Sequence, residues 1–333
     1  MNIAMSRDKL LARGYCCGLG CKNCPYDPSH TKGTTKVPNM NILVSSHNLD
    51  LHGLGTFIYT KVCELIKLGH NVEIVTQVGG EIQNRLSSHS IELDNVKDSY
   101  DLILTHQSDI TSELMKRNIK GYVIFTVHGF LYGNDIPSDE ILDYIDKVFC
   151  VSHNLQEDLL KKNIESSVIS QPIDCERFIP KNELSVKSPL VLSLVKDVEA
   201  NKLLKSACNI VGYEYVNSGQ NIFNIEDKIS NADIVVGLGR IIYEALACGR
   251  NGLVFDNREY SPSKFLGDGM VTPDNIDEVI KYNFTGWYHK KEFGVEELVE
   301  ELKKYSTENG HFFRDYIRQN FDVKQLINKY LFK

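Results

Sequence analysis

The chain has no run of 18 consecutive apolar residues, so no bilayer-spanning helix is expected. Its N-terminus carries a cysteine cluster where an export signal needs an apolar core, so no such signal and a cytoplasmic location are expected. Positive charge is in deficit. The 37 Lys and Arg face 44 Asp and Glu, a formal net charge of −7, which disfavours a binder of the nucleic-acid backbone. No self-similarity occurs at solenoid periods. Of the nine cysteines, Cys63, Cys150, Cys175, Cys208 and Cys248 are scattered singly in apolar contexts, as in a reducing cytosol rather than in a disulfide framework.

What is present is a two-part globular chain. Apolar residues make up 42% and charged residues 24% of 333, enough for two domains of ordinary size. Residues 1–40 differ in texture. They carry a net charge of +4 against −11 for the rest, are rich in Gly, Cys, Pro, Ser and Thr, and end in the linker-like "PSHTKGTTKVPN". From Met40 onward short apolar runs alternate with amphipathic stretches. "NILVSS" reads as a buried strand. "TFIYTKVCELIKLGH" reads as a helix with Phe57, Ile58, Val62, Leu65 and Ile66 on one face and Gly69 as its stop. "NVEIVTQ" is the next strand, which makes a parallel crossover unit.

The rhythm continues through "YDLILTHQ", "DITSELMKRN", "GYVIFTVHG", "SDEILDYIDK" (a helix with Ser138 or Asp139 as cap), "VFCVS", "HNLQEDLLKKN" and "SSVISQP". It breaks at the proline-rich "PIDCERFIPKNELSVKSP", which places a domain boundary near residues 180–188. A second alternating set runs from "PLVLSLVKD" to "NGLVFDN", with helices expected at "VEELVEELKKYS" and "HFFRDYIRQNFDVKQLINKYLF". The expected fold is α/β: two facing, doubly wound Rossmann-like domains (40–185 and 186–333) behind a small cysteine-rich extension (1–39).

One stretch concentrates chemistry. In "GLGRIIYEALACGR", residues 237–250, Gly237, Gly239 and Arg240 occupy a strand-to-helix turn, and Glu244 lies about one turn inside the helix. A helix N-terminus offers N–H groups without partners and the positive end of the dipole. Glycines let a diphosphate approach the backbone, and Arg240 can add a bidentate contact. A carboxylate at 244 can accept hydrogen bonds from sugar hydroxyls. A plain turn leading into a core helix, with Glu244 simply complementing the dipole, is the competing reading. The first domain offers "SSHNLDLHGLGTF", with Gly53 and Gly55 at its turn, short of the GxGxxG fingerprint. His128 follows a strand and faces the expected cleft, His106 ends another strand, and for these two, as for His47 and His52, a structural role is the alternative.

"VFCVSHNLQEDLLKKNI…SSVISQPIDCERFIP", "EALACGR" and "HGLGTFIYTKVCELIKLGHNVEIVT" together resemble retaining, family-4-like glycosyltransferases of the GT-B fold, in order and over roughly residues 40–255. The ending "FLGDGMVTPDNIDEVIKYNFTGW" resembles a bacterial subgroup of them. The resemblance implies a nucleotide-diphosphate-sugar donor held mainly by the second domain and an unidentified acceptor (glycan, lipid-linked or small molecule) held by the first. It aligns Glu244 with the acid that binds the donor ribose and Gly239 and Arg240 with the diphosphate loop. Gly53 and Gly55 fall on the glycine turn facing the phosphates, and His128 on the histidine near the reacting carbon. No bound metal is implied, because basic groups and helix dipoles stabilise the leaving diphosphate.

Three features depart from the family pattern. Val236 stands where the first of two glutamates is usual. Lys196 and Lys202 offer the expected cation pair without its glycine and arginine. "QPID" replaces the usual Asn-Pro. Donor and acceptor identity are expected to lie in loops such as 77–95 and 129–137, for which the sequence gives no rule.

The N-terminal "RGYCCGLGCKNCPYDPSH" sets Cys16, Cys17, Cys21 and Cys24 within nine residues. Four thiols so close, with His30 as an alternative ligand, are expected to bind zinc or an iron–sulfur cluster, a reduced or redox-active thiol cluster being the alternative. The Cys17-x3-Cys21-x2-Cys24 spacing matches S-adenosylmethionine radical enzymes, but no strand precedes it and Asn23 stands where they favour an aromatic. The segment resembles small oxidoreductase-like cysteine modules. Three functions follow as expectations: a sugar transferase, a degenerate relative that binds nucleotide, sugar or a partner without turnover, or a metal- or redox-centred protein on an α/β scaffold.

Overall fold

A computed structural model describes residues 10, 15–22, 24, 26–34, 38–130, 133–219, 222–257 and 266–331. Residues 35–37 of the expected linker and 131–132 of the expected specificity loop lie outside them. The first lobe alternates β1 (Asn41–Asn48), α1 (Gly53–Lys67), β2 (Asn71–Val78), α2 (Glu81–Arg85), β3 (Ser99–Thr105), α3 (Ser108–Lys116), β4 (Lys120–Val127), β5 (Lys147–Cys150), α4 (His153–Leu160) and β6 (Ser167–Val168). Its six strands are all parallel, in the order β2-β1-β3-β4-β5-β6.

The second lobe holds β7 (Leu190–Ser193), α5 (Val198–Val211), β8 (Glu214–Asn217), α6 (Glu226–Asn231), β9 (Ile234–Gly237), α7 (Arg240–Ala247), β10 (Asn251–Phe255), β11 (Leu266–Met270), α8 (Ile276–Val279) and β12 (Lys291–Glu292). The order is β12-β11-β10-β9-β7-β8, with β11 antiparallel to both its neighbours. The chain ends in α9 (Val295–Leu302), α10 (Asn309–Asn320), α11 (Val323–Leu326) and α12 (Asn328–Leu331). No helix among the described residues is long and apolar enough to cross a membrane.

The strands read as continuous apolar runs because helices cover both faces of each sheet. Ile42, Leu43 and Val44 of β1 and Ile234, Val235 and Val236 of β9 are fully buried. α1 packs Phe57, Ile58, Val62 and Leu65 onto the sheet, each worth about 1.5–3 kcal/mol of burial. Gly69, at φ 88°, ends it as expected, its N–H bonded to the Ile66 carbonyl. The same helix also buries Thr60, Lys61 and Glu64, which the hydrophobic pattern does not forecast.

Two expectations fail locally. Asp139–Tyr144 is a 3-10 turn rather than an α-helix, and Ser138 makes no cap bond with its side chain. The segment is strapped at both ends: Ser108 Oγ donates to the Ile136 carbonyl at 2.5 Å and accepts from Ser138 N–H, and the Tyr144 hydroxyl reaches the Ile119 carbonyl at 2.7 Å. The long terminal helix is broken at Phe321–Asp322. There Ile173 N–H bonds the Phe321 carbonyl and Val323 N–H bonds the Ile173 carbonyl, each at 2.9 Å. The outgoing and returning chains thus cross between the lobes side by side. Beyond this crossing Ile327, Tyr330 and Leu331 join the first lobe's core, although residues 186–333 read as one domain in sequence.

Candidate functional site

In a doubly wound sheet the natural crevice opens where the strand order reverses, at strand C-termini. Here that point lies between β1 and β3 in one lobe and between β7 and β9 in the other. The two points face a single cleft of about 640 Å³, lined from both lobes. The first lobe supplies His52, Gly53, Thr60, His128 and Gln171, and the second Lys196, Gly239, Arg240, Glu244 and Trp287.

The floor of the second lobe is the turn from β9 into α7. Gly239 holds φ 65° and ψ −132°, a conformation a side chain would strain, and its N–H is anchored on the Phe284 carbonyl at 2.8 Å. The next amides, of Arg240 and Ile241, begin the helix and have no acceptor within it. This amide tip opens on the cleft. Glu244 also lines the cleft.

Arg240 departs from expectation. Its Nε donates to Glu244 Oε1 at 2.8 Å, Nη1 to the Pro172 carbonyl at 2.9 Å, and Nη2 to Thr60 Oγ1 at 2.8 Å. With 8% of its surface exposed it is a buried tie between lobes rather than a bidentate clamp waiting for phosphate. Burial pushes the Glu244 carboxyl up, and the Arg240 guanidinium opposes that rise. Glu244 Oε2 has no partner among the described residues.

The other expected residues separate clearly. Lys196, just past the end of β7, lines the cleft. Lys202 does not. It is exposed on α5 and pairs with Glu199 at 2.6 Å. Gly53 lines the cleft with open space around it. Gly55 is buried beneath, where a Cβ would lie 2.0 Å from the Asp50 carbonyl oxygen. Gly55 therefore serves close backbone packing, and its N–H is held by the His52 ring at 3.2 Å. His128 reaches the cleft. Its Nε2 lies 3.0 Å from His106 Nδ1, and Phe57 packs edge-on at 4.5 Å. Burial and the nearby Lys61 and His52 lower its pKa to about 3, so it is a neutral imidazole. His47 stands apart, paired with Asp109.

Sequence reading missed several groups. Gln171 is 6% exposed, and its Oε1 is buried against the cleft with no partner among the described residues. The "QPID" departure marks this spot, and its proline carbonyl is the one that Arg240 grips. Arg177 lines the cleft, pairs with Glu226 at 2.7 Å and stacks on Phe223 at 4.5 Å. Nothing in the sequence pointed to Phe223.

The four N-terminal thiols line one small pocket and approach one another as two close pairs. Cys16 and Cys24 sulfurs are 3.6 Å apart and Cys17 and Cys21 sulfurs 3.4 Å apart. No group of three or more His, Cys, Asp or Glu among the described residues is arranged to hold a metal ion. Burial raises the Cys24 thiol, but the backbone of His30, the backbone of Tyr26 and the Cys16 thiol bond it and bring its pKa down overall. None of the nine cysteines is in a disulfide.

Residues 2–30 match a family of unknown function (DUF5522). No curated protein matches the chain by sequence. Solved structures do. A glycosyltransferase from Rickettsia africae superposes with a TM-score of 0.59 at 15% identity, covering 88% of this chain and 97% of its own. The Anabaena protein HepE, in complex with UDP and glucose, gives 0.58 at 12% identity over 87% and 98%. A UDP-N-acetylglucosamine 2-epimerase candidate from Listeria monocytogenes gives 0.53 at 10% identity over 88% and 95%. At these identities what is shared is the architecture: the chain has the GT-B fold, two Rossmann-like α/β lobes facing one cleft.

Proposed function

We propose that the chain is a glycosyltransferase that binds a nucleoside-diphosphate sugar between its lobes and moves the sugar to an acceptor with retention. The observation that carries this is one cleft uniting the amide tip of α7, Lys196 and a Glu244 oxygen without a partner among the described residues with His128 from the opposite lobe. The diphosphate lies against the Arg240 and Ile241 amides and Lys196. Cleaving the sugar–phosphate bond builds negative charge on the leaving diphosphate, and these positive groups stabilise it more in the transition state than in the ground state. Glu244 Oε2 accepts a ribose hydroxyl. His128 and Gln171 face the sugar. HepE was solved with UDP and glucose in the same fold, which makes uridine donors the first to test.

A thermal-shift panel of nucleoside-diphosphate sugars, followed by hydrolysis of the best binder without acceptor, tests the reading, because a ligand of the native state raises the melting point. Absence of any stabilising donor overturns it. A second reading, donor binding without turnover, is favoured by Val236. It is an apolar residue fully buried in β9 and brings no carboxylate to the cleft. Stabilisation without hydrolysis or transfer selects that reading.

For the N-terminal module, four thiols around one small pocket suit a bound zinc or iron–sulfur cluster, with a reduced or redox-active thiol cluster as the alternative. Stoichiometric zinc or iron in the purified full chain selects the first, and metal-free protein the second.

A further inference from the structure

Lys61 lies in the middle of α1, facing the sheet, and is fully buried. Among the described residues it has no carboxylate partner. Its ammonium group sits between the rings of Tyr330, 4.6 Å from the centroid, and Phe57, at 5.2 Å. Its one hydrogen-bond partner among the described residues is His106, whose Nε2 is 3.0 Å from Nζ. His106 in turn meets His128 across 3.0 Å, Nδ1 to Nε2. Three nitrogen-bearing side chains thus run in series from a sealed interior to the cleft wall. They come from α1, from the residue just past β3 and from the residue just past β4.

Such a chain has a polarity that elementary bonding fixes. An ammonium carries hydrogens and no lone pair, so Lys61 can only donate. His106 must then leave Nε2 bare, carry its proton on Nδ1, and donate to His128 Nε2. His128 must in turn keep its own proton on Nδ1, the nitrogen that no described residue engages. A distant buried charge therefore selects the tautomer that the cleft sees.

We propose that Lys61 and His106 are positioning residues that hold His128 as the Nδ1–H tautomer, so that the cleft receives a hydrogen-bond donor. The local claim stands on the three side chains alone, and its consequence for catalysis rests on the transferase reading. A fixed N–H at the cleft wall suits a hydroxyl or ring oxygen of a bound sugar. The remote positive charge strengthens that donor in a water-poor setting.

The groups facing the relay support its charge states. Lys61 sees the His106 ring and the two aromatic faces. His106 sees Lys61, His128 and the Thr126 carbonyl. His128 sees His106, Phe57 and, further off, His52 and Lys61. No carboxylate of the described residues is among them. Burial lowers Lys61 to about 7 and, helped by Lys61 and His128, holds His106 well below the usual imidazole range. The imidazoles stay neutral while the lysine is the one member that titrates near neutrality. Above that point the amine can accept as well as donate, and the polarity is released.

Nitrogen-15 NMR of the histidine-labelled full chain reads the tautomer directly, with signals assigned through His128→Gln. At pH 6 the expected result is a protonated Nδ1 and a bare Nε2 on both His106 and His128, with mixed tautomers in Lys61→Met and retention of Nδ1–H in Lys61→Arg. A proton on Nε2 of His128 in the unaltered chain, or an unchanged tautomer in Lys61→Met, overturns the proposal. Should Lys61→Met fail to fold, the polarity of the unaltered chain at pH 6 decides alone. For donor hydrolysis, Lys61→Met is expected to lower kcat by about tenfold or more with little change in KM, and kcat of the unaltered chain falls as pH rises past about 7. An inactive chain with the expected tautomers would sink the transferase reading and leave the relay standing.

Discussion

Arg240 reaches across the cleft to Thr60, 180 positions earlier in the chain, with Nη2 and Oγ1 2.8 Å apart. The same guanidinium holds Glu244 at 2.8 Å. One side chain thereby orients the acid proposed to grip the donor and pins α7 of the second lobe to α1 of the first. The orientation of Glu244 and the contact between the lobes are mechanically joined at this residue.

Glu244→Ala should therefore do two things. It removes the proposed ribose acceptor, so the thermal shift with any binding nucleoside-diphosphate sugar should vanish. It also strips a buried Arg of its counter-charge, at a cost of up to about 3–5 kcal/mol in urea unfolding. Glu244→Gln keeps a hydrogen-bond acceptor for Arg240 and should cost less stability while still weakening the donor. Donor binding unchanged in both variants would remove Glu244 from the site.

The two lysines should behave oppositely. Lys196→Ala should weaken nucleotide binding by about tenfold, the loss of one charge-assisted hydrogen bond. Lys202→Ala should leave it unchanged and alter stability by less than about 1 kcal/mol, because its pair with Glu199 is fully solvated. Titration calorimetry with the best nucleotide compares them. Equal effects would contradict the cleft geometry.

Gly55→Ala should destabilise the fold by about 1–3 kcal/mol or more, since the new methyl would collide with the Asp50 carbonyl. Gly53→Ala meets nothing within 4 Å and should fold normally, with any effect confined to ligand binding. Chemical denaturation of the pair separates a packing glycine from a cleft glycine two residues away.

Stability should rise with pH in two windows. His128 falls from 6.5 to about 3 in the folded chain, so between those values the unfolded chain binds a proton that the folded one refuses. Lys61 falls from 10.5 to about 7, which repeats the effect between about 7 and 10.5. In each window the unfolded state holds more protons, and linkage makes unfolding harder as pH increases. Lys61→Met should flatten the upper slope in urea titrations from pH 7 to 10. An identical slope in the variant would show that Lys61 titrates normally.

Much of this was legible in one dimension. Buried strands and one-sided helices write themselves into apolar runs and periodicity, because burial is imposed residue by residue along each element. The turn at Gly239 was legible because only glycine accepts its φ without strain. The α-helix expected over "SDEILDYIDK" is a shorter 3-10 helix, Asp139–Tyr144, because straps from Ser108 and Ile119, distant in sequence, set its backbone. Arg240 read as a phosphate ligand because its spacing from Gly239 is local, while its partners Pro172 and Thr60 are not.

The sequence alone determined the alternation of strands and helices, the amide-rich tip at 239–241 and the presence of Glu244 one turn behind it. Only the tertiary structure decided that Arg240 is spent on bonds between lobes, that Lys61 lies sealed against His106, and that the last helices return to the first lobe. The reason is physical. Periodicity reports which side of an element is dry, but which polar groups meet on that dry side depends on how separate elements pack.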